Sequence, residues 1–439
     1  MRITLADIQT RPTAINKDLS GGYGTSSDFG SGWFVGMMKQ LKRNAVKLPL
    51  MTLGYLASIL RQRGHDVRFT QRDLVAGTDL YLVYSSLVEH SSELAFAAKV
   101  RAANGARVGF VGSLATAMPE RFLAHGDFVV AGEAEGCFVG TDDLMSLQGL
   151  VAGKQVEDLD TLPFPNWKPF PYGEFSYTHY LRERPFFPVT TSRGCPYSCV
   201  YYCPYPIFQG RQFRMRAVDA VVAEIEQLIK DYGARSLLFR DPIFTLEKKR
   251  VAALCETLLQ RNIEIQWACE THLGRLDHDL IDLMQKAGCR GINVGVESVS
   301  PDVLKSSKRK SDDVLHQEDI VRYCESKGVK IGAFYIFGNL EDTEETIRST
   351  IAYAKSLNTS YAQFTISTPY PGTKFYDEMK PKLTETKLDN FDIYTPTFTH
   401  PHLSHDTILR LKEEAYSGYY FRWKWLRRYM TESLRQWSE

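Results

Sequence analysis

The sequence lacks any long apolar run: nothing in it approaches the roughly 18–20 consecutive apolar residues that span a bilayer. It also lacks an excess of either charge. In its 439 residues 53 Lys and Arg stand against 52 Asp and Glu, a formal net charge of +1. That balance argues against non-specific nucleic-acid binding, which needs a positive excess over phosphate, and points to a small-molecule substrate. Residues 1–10 are strand-like and have none of the charged, apolar and small-residue regions of a signal peptide. Cysteine is sparse, with eight residues that are mostly scattered. A disulfide framework is therefore not expected, and a reducing cytoplasm is. Low-complexity segments and fine repeats are missing too.

What is present is ordinary in bulk: 44% apolar and 24% charged residues. The length suits two to three domains, because single cores stop growing near ~250–300 residues. Residues 1–150 alternate strand and helix signals. Apolar runs at 3–8, 67–69, 80–84, 108–111 and 128–130 predict strands. Helical spacing of Leu53, Leu56, Ile59 and Leu60 stops at Gly64. A Gly/Ser-rich loop occupies 21–32. This pattern predicts a doubly wound parallel sheet, whose ligands sit at the carboxyl ends of the strands. Residues 151–185 break the rhythm. Four prolines within 162–171 exclude regular helix and mark an ordered connector. A second strand–helix series fills 186–385, with predicted strands at 187–192, 236–240, 264–270, 291–296, 330–337 and 361–366. Its regularity predicts a partial (β/α)6 barrel rather than an open sheet. The aromatic and basic tail, 386–439, reads as helix packed on the barrel.

Three of the eight cysteines crowd into nine residues, Cys195, Cys199 and Cys203, just past the first predicted barrel strand. Thiolates so placed suit a soft metal, and three of them would leave one iron of a four-iron cluster open. Two plainer readings compete. Equal spacing of the three could make an inert helical stripe, but Gly194, Pro196 and Pro204 oppose a continuous helix. A structural zinc would want a fourth Cys or His at short spacing, and none follows nearby. Cys255 and Cys324 read as core fillers, Cys137 and Cys289 as packing residues, and Cys269 as a residue that could face the barrel cavity. His400 and His402 flank a proline and read as surface loop.

The run Thr191-Ser-Arg-Gly-Cys-Pro-Tyr-Ser-Cys199 resembles the cluster loop of radical S-adenosylmethionine (SAM) enzymes. The family's usual second gap holds two residues; here it holds Val200, Tyr201 and Tyr202. Further segments are similar to the subgroup with an amino-terminal cobalamin-binding domain: Phe239-Arg-Asp241, Gly291-Ile-Asn-Val-Gly295-Val-Glu297-Ser and Thr368-Pro-Tyr-Pro-Gly-Thr373 in the barrel. Ser85-Ser-Leu87, Gly112-Ser113 and Gly132-Glu-Ala-Glu135 do the same in the first domain. No Asp-x-His-x-x-Gly supplies an axial histidine.

The resemblance implies a [4Fe–4S] cluster on Cys195, Cys199 and Cys203, with SAM on the open iron. It implies SAM contacts from Tyr202, Asp241, Gly295 and Glu297. Ser85, Leu87, Gly112 and Ser113 would meet cobalamin, and a flavodoxin or ferredoxin would supply electrons. The implied activity is transfer of a SAM-derived group to a small molecule, first a cobalamin-dependent methyl to carbon or phosphorus. The extra residue before Cys203 leaves open transfer of the 3-amino-3-carboxypropyl group instead. A non-catalytic cobalamin or cluster sensor is the third alternative. No catalytic acid or base is assigned.

Overall fold

The computed structural model describes residues 1–11, 15–26, 45–103, 105–310 and 313–428. Half of the predicted 21–32 loop and the last residues of the tail lie outside them. Six parallel strands build the first sheet: β1 (Arg2–Ala6), β2 (Asp66–Thr70), β3 (Leu80–Tyr84), β4 (Arg107–Val111), β5 (Phe128–Ala131) and β6 (Gly149–Ala152), in the order β2-β1-β3-β4-β5-β6. Strand order reverses between β1 and β3, and the crevice beyond their carboxyl ends is the ligand position of such sheets. The sequence reading has no β6, because its side chains are largely exposed and show no alternation. Helices α1 (Met51–Gln62), α2 (His90–Ala103) and α3 (Ser113–Ala117) connect the strands. Helix α1 is buried from Met51 to Leu60, wider than the predicted stripe, because the connector's Trp167 and Phe170 join the same core.

The second sheet runs in chain order, β7 (Phe186–Val189), β8 (Ser236–Phe239), β9 (Gln266–Thr271), β10 (Cys289–Glu297), β11 (Lys330–Phe337) and β12 (Tyr361–Ile366), all parallel. Among the described residues no ladder joins β12 to β7, so the barrel is partial. Its helices are α4 (Tyr205–Gln209), α5 (Val218–Tyr232), α6 (Lys248–Gln260), α7 (His278–Lys286), α8 (Val314–Ser326) and α9 (Glu344–Leu357). In α5 the apolar stripe Val221, Val222, Ile225, Leu228 and Tyr232 is buried, as its 3.6-residue period requires.

The tail helix α10 (His405–Tyr420) closes the open edge of β12. Tyr420 donates to the Ala362 carbonyl at 2.7 Å, and Tyr416 accepts from the Phe364 N–H at 3.2 Å. These tyrosines satisfy edge groups that would otherwise invite another strand. At the other end of the lumen the connector's Tyr180 donates to Asn293 of β10 at 2.6 Å, and Asn293 donates to Tyr177 at 2.7 Å. Among the described residues no helix is long and apolar enough to cross a membrane.

Candidate functional site

The cysteine loop leaves the carboxyl end of β7 and is fixed at both feet. Asp241, just past β8, accepts from the Thr191 N–H at 2.7 Å, the Thr191 hydroxyl at 2.5 Å and the Ser192 hydroxyl at 2.6 Å. Arg250 lies 3.6 Å from the same carboxylate. The structure thus gives Asp241 a different task from the expected SAM contact. Its oxygens are spent inside the chain, on holding the base of the loop. Next, Ser192–Arg193 pairs antiparallel with Arg214–Met215, forming a ribbon under the cysteines.

Cys195 and Cys199 are buried and Cys203 is half-buried, all as free thiols. A 3-10 turn spans Ser198–Tyr201, and the Cys203 N–H donates to the Cys199 carbonyl at 2.9 Å. The three residues between them therefore close one helical turn, which places Cys199 and Cys203 on one side. The extra residue is absorbed there, where the two thiols meet. The hydrogen bond from Cys203, aided by the Arg309 guanidinium and opposed by burial, brings the Cys199 thiol down to about 7. As donor in that bond, and buried, Cys203 is held well above the ordinary thiol value. Burial also raises Cys195, against the pull of Arg211 and Arg309. Among the described residues no three His, Cys, Asp or Glu side chains close around a single metal ion. A four-iron cluster asks for something else, one soft thiolate for each of three irons at separate corners. Three thiols on one loop, two buried and one half-buried, beside two guanidiniums fit that donor set.

Glu297 stands beside the thiols on strained backbone. It ends β10 after a register shift at Gly295 and has φ of 67°, the left-handed region. For a residue with a side chain such a conformation costs about 1–3 kcal/mol, and it persists where the surroundings over-determine it. Those surroundings are Arg309, 3.1 Å from Glu297 and donating to the Gly295 carbonyl at 2.6 Å. A Cβ on Gly295 would lie 2.4 Å from the Glu297 carboxylate and 2.8 Å from Arg309, so a side chain there would displace the pair. Tyr202 lies beside the same guanidinium. Burial pushes the Glu297 carboxyl up in spite of Arg309. Burial opposes the Arg309 charge as well, but Glu297, Tyr202 and Cys199 outweigh it and hold the guanidinium above its ordinary value. Tyr202 also lines a cleft with Tyr201, Ser307, Asn339, Ser367 and Phe375. Three expected SAM-side residues, Tyr202, Gly295 and Glu297, thus come together around Arg309. Sequence reasoning missed Arg309; its signal was the basic run Lys308-Arg-Lys310 shortly after β10.

The first domain clamps the loop through the Gly132–Glu135 segment. Arg214 bonds Glu133 with both nitrogens, at 2.6 and 3.0 Å, and Arg193 bonds Glu135 at 2.9 Å, all four buried. Arg193 also lies over the Tyr55 ring, 5.1 Å from its centre. Removing one partner of a buried pair strands the other charge, at about 3–5 kcal/mol. Glu133→Ala is therefore expected to lower unfolding stability by about that amount. Chemical denaturation measures it, and a loss below about 1 kcal/mol would show the clamp to be idle.

Ser85, Leu87, Gly112 and Ser113 gather at the carboxyl ends of β3 and β4. The Ser85 hydroxyl donates to the Val111 carbonyl at 2.9 Å and accepts from the Ala115 N–H at 2.8 Å. Leu87 is fully buried and its N–H donates to the Tyr23 carbonyl at 2.9 Å. Gly112 has φ of 107°, and the Ser113 hydroxyl donates to the Gly21 carbonyl at 2.5 Å. These residues form the kind of edge on which an α/β sheet takes a ligand. Here the turn at Gly21–Tyr23 lies over it.

Two other expectations change. Cys269 points away from the lumen, towards Cys289 and Cys255, in a fully buried layer. Burial raises the Cys255, Cys269 and Cys324 thiols, which keeps them inert. His400 is a buried brace rather than a surface residue. Its Nε2 donates to the Asn339 carbonyl at 2.7 Å, and its Nδ1 accepts from the His402 and Leu403 N–H groups.

Comparison with known proteins agrees with this anatomy. The profile of the Radical SAM superfamily matches residues 189–354. An uncharacterized methyltransferase of Pyrococcus horikoshii is 29% identical over 318 residues, 67% of this chain and 68% of that protein. The bacteriochlorophyllide d C-12(1)-methyltransferase of Chlorobaculum tepidum is 26% identical over 55% of this chain and 54% of its own length. Among solved structures, the radical SAM methyltransferase TsrM of Kitasatospora setae, with cobalamin and a [4Fe–4S] cluster bound, superposes with a TM-score of 0.63 at 16% identity. That likeness covers 86% of this chain and 77% of TsrM, and it is a likeness of fold. Residues 189–354 thus carry the match to the Radical SAM superfamily, and the chain shares its fold with TsrM.

Proposed function

We propose that this protein is a radical SAM transferase that passes a SAM-derived methyl group, through cobalamin, to a carbon or phosphorus of a small molecule. The observation that carries the reading is the meeting of three loop thiols with the Glu297–Arg309 pair at the barrel mouth. When bound, the [4Fe–4S] cluster supplies the electron that splits a carbon–sulfur bond of SAM, and cobalamin carries the methyl group. Cys195, Cys199 and Cys203 hold the cluster. Glu297 and Arg309 offer one negative and one positive group to the ammonium and carboxylate of SAM's methionine end. Tyr202 lines the cleft beside them, and the barrel walls exclude water and oxygen. Ser85, Leu87, Gly112 and Ser113 form the cobalamin edge, which opens when the Gly21–Tyr23 turn moves off Ser113. A flavodoxin or ferredoxin supplies the electron.

Anaerobic incubation with SAM of the reduced protein, reconstituted with cluster and with cobalamin as methyl acceptor, tests the reading. The expected products are 5′-deoxyadenosine and S-adenosylhomocysteine. Two observations favour a second reading, aminocarboxypropyl transfer: the one-turn Cys199–Cys203 spacing and the covered cobalamin edge. Methylthioadenosine as the nucleoside product would overturn methyl transfer and support that alternative, and no cleavage of SAM would overturn both.

A further inference from the structure

A hairpin from the first domain enters the seam where the carboxyl edges of both sheets face each other. Its arms, Ile15–Asn16 and Thr25–Ser26, pair antiparallel, and its tip runs from Lys17 to Gly24. Neighbouring tip residues point to opposite domains. Lys17, buried at the switch point of the first sheet, bonds Glu93 at 2.8 Å and lies 3.3 Å from Asp7. Asp18 points into the barrel mouth. Arg240, at the end of β8, donates from Nε to the Asp18 carboxylate at 2.6 Å and from Nη2 to its carbonyl at 2.8 Å. The third arm of the guanidinium goes to Glu270 of β9 at 2.8 Å. Tyr205, two residues after Cys203, donates to the same Glu270 at 3.5 Å.

Active sites of such barrels lie at the carboxyl ends of the strands, so Arg240 and Glu270 stand where an acceptor meets the cluster. The charges there do not balance: one guanidinium faces two carboxylates. Glu270 is fixed on a strand and alone neutralises Arg240. Asp18 is the surplus charge, carried on a turn. Burial raises its carboxyl even though Arg240 touches it. An arginine fork that holds an oxyanion with parallel N–H groups is the usual means of recognising carboxylate or phosphate.

We infer that Arg240 recognises the acceptor and takes its oxyanion, a carboxylate or a phosphate-type group, in the place that Asp18 fills. The inference rests on the transferase reading above. The exchange swaps one anion for another on Arg240, so it leaves the charge of the site unchanged, and it moves the hairpin tip out of the seam.

The test uses full-length, cluster-reconstituted protein with SAM, titrated calorimetrically with inorganic phosphate and with succinate. Asp18→Asn is expected to bind one of the two at least about tenfold more tightly than wild type, about 1.4 kcal/mol. Preference for phosphate identifies a phosphate-type acceptor, and preference for succinate a carboxylate. In the Asp18→Asn background Arg240→Gln abolishes the gain. Arg240→Lys, which keeps the buried charge if the glutamine variant misfolds, weakens it because a point charge replaces the fork. Equal binding by wild type and Asp18→Asn, binding of neither anion, or a gain indifferent to Arg240 overturns the assignment. SAM cleavage by the wild-type protein is measured in parallel. Its absence would count against the transferase reading, whereas an Arg240-independent result counts only against the acceptor site.

Discussion

Cys199→Ala is expected to abolish the iron–sulfur absorption of the reconstituted protein and, with it, cleavage of SAM. On the proposed reading three thiols serve three irons, and Cys199 lies close to both of the others. No substitute is at hand. Cys255, Cys269, Cys289 and Cys324 are all buried in the outer layer of the barrel. Cys269→Ala is the matched control: it loses one buried thiol of that layer and keeps its iron. Iron content and visible absorption measure both variants. Wild-type iron in Cys199→Ala, or equal loss in the two, would refute the ligand set.

The second large effect is expected at Arg309. Truncation to alanine removes a guanidinium that pairs with Glu297, bonds the Gly295 carbonyl and lies beside Tyr202. A hydrogen bond to a charged group is worth about 1.5–3 kcal/mol, so affinity for SAM should fall by roughly 10- to 150-fold. Arg309→Lys should recover part of it, because the charge returns without the planar fork. Equilibrium binding of SAM to the reconstituted protein separates the two explanations of Arg309. Unchanged affinity with lowered thermal stability would make Arg309 a structural brace only. Weakened affinity in a protein that keeps its iron supports a direct part in holding SAM.

Much of the architecture was legible before folding. The barrel strands at 330–337 and 361–366 were readable to the residue as Lys330–Phe337 and Tyr361–Ile366, because largely buried parallel strands are short runs rich in apolar and aromatic residues. The cysteine triplet was legible because its spacing is local and its prolines exclude a plain helix. Elsewhere, residue type misled. Asp241 has the chemistry of a SAM contact, yet its three hydrogen bonds go to Thr191 and Ser192, fifty and forty-nine positions earlier. Cys269 alternates on its strand as a lumen residue might, but β9 turns that face towards α6 and Cys289. A proline-flanked His400 looks exposed, whereas Asn339 and the backbone that follows it take both its nitrogens.

By itself, then, the sequence determined two strand–helix series, the proline connector and the close spacing of three cysteines on one loop. Periodicity, proline and short spacing are local properties, and they survive without a partner. Only the tertiary structure decided that Glu297 shares its place with Arg309, that Glu133 and Glu135 hold the loop from another domain, and that Asp18 occupies Arg240. Glu297 and Arg309 stand a short way apart in the barrel, and the other pairs join a charge of one domain to a charge of the other, far along the chain. A buried charge needs its partner within a few ångströms, and which partner arrives is settled by how the two domains pack, not by any pattern of neighbours in sequence.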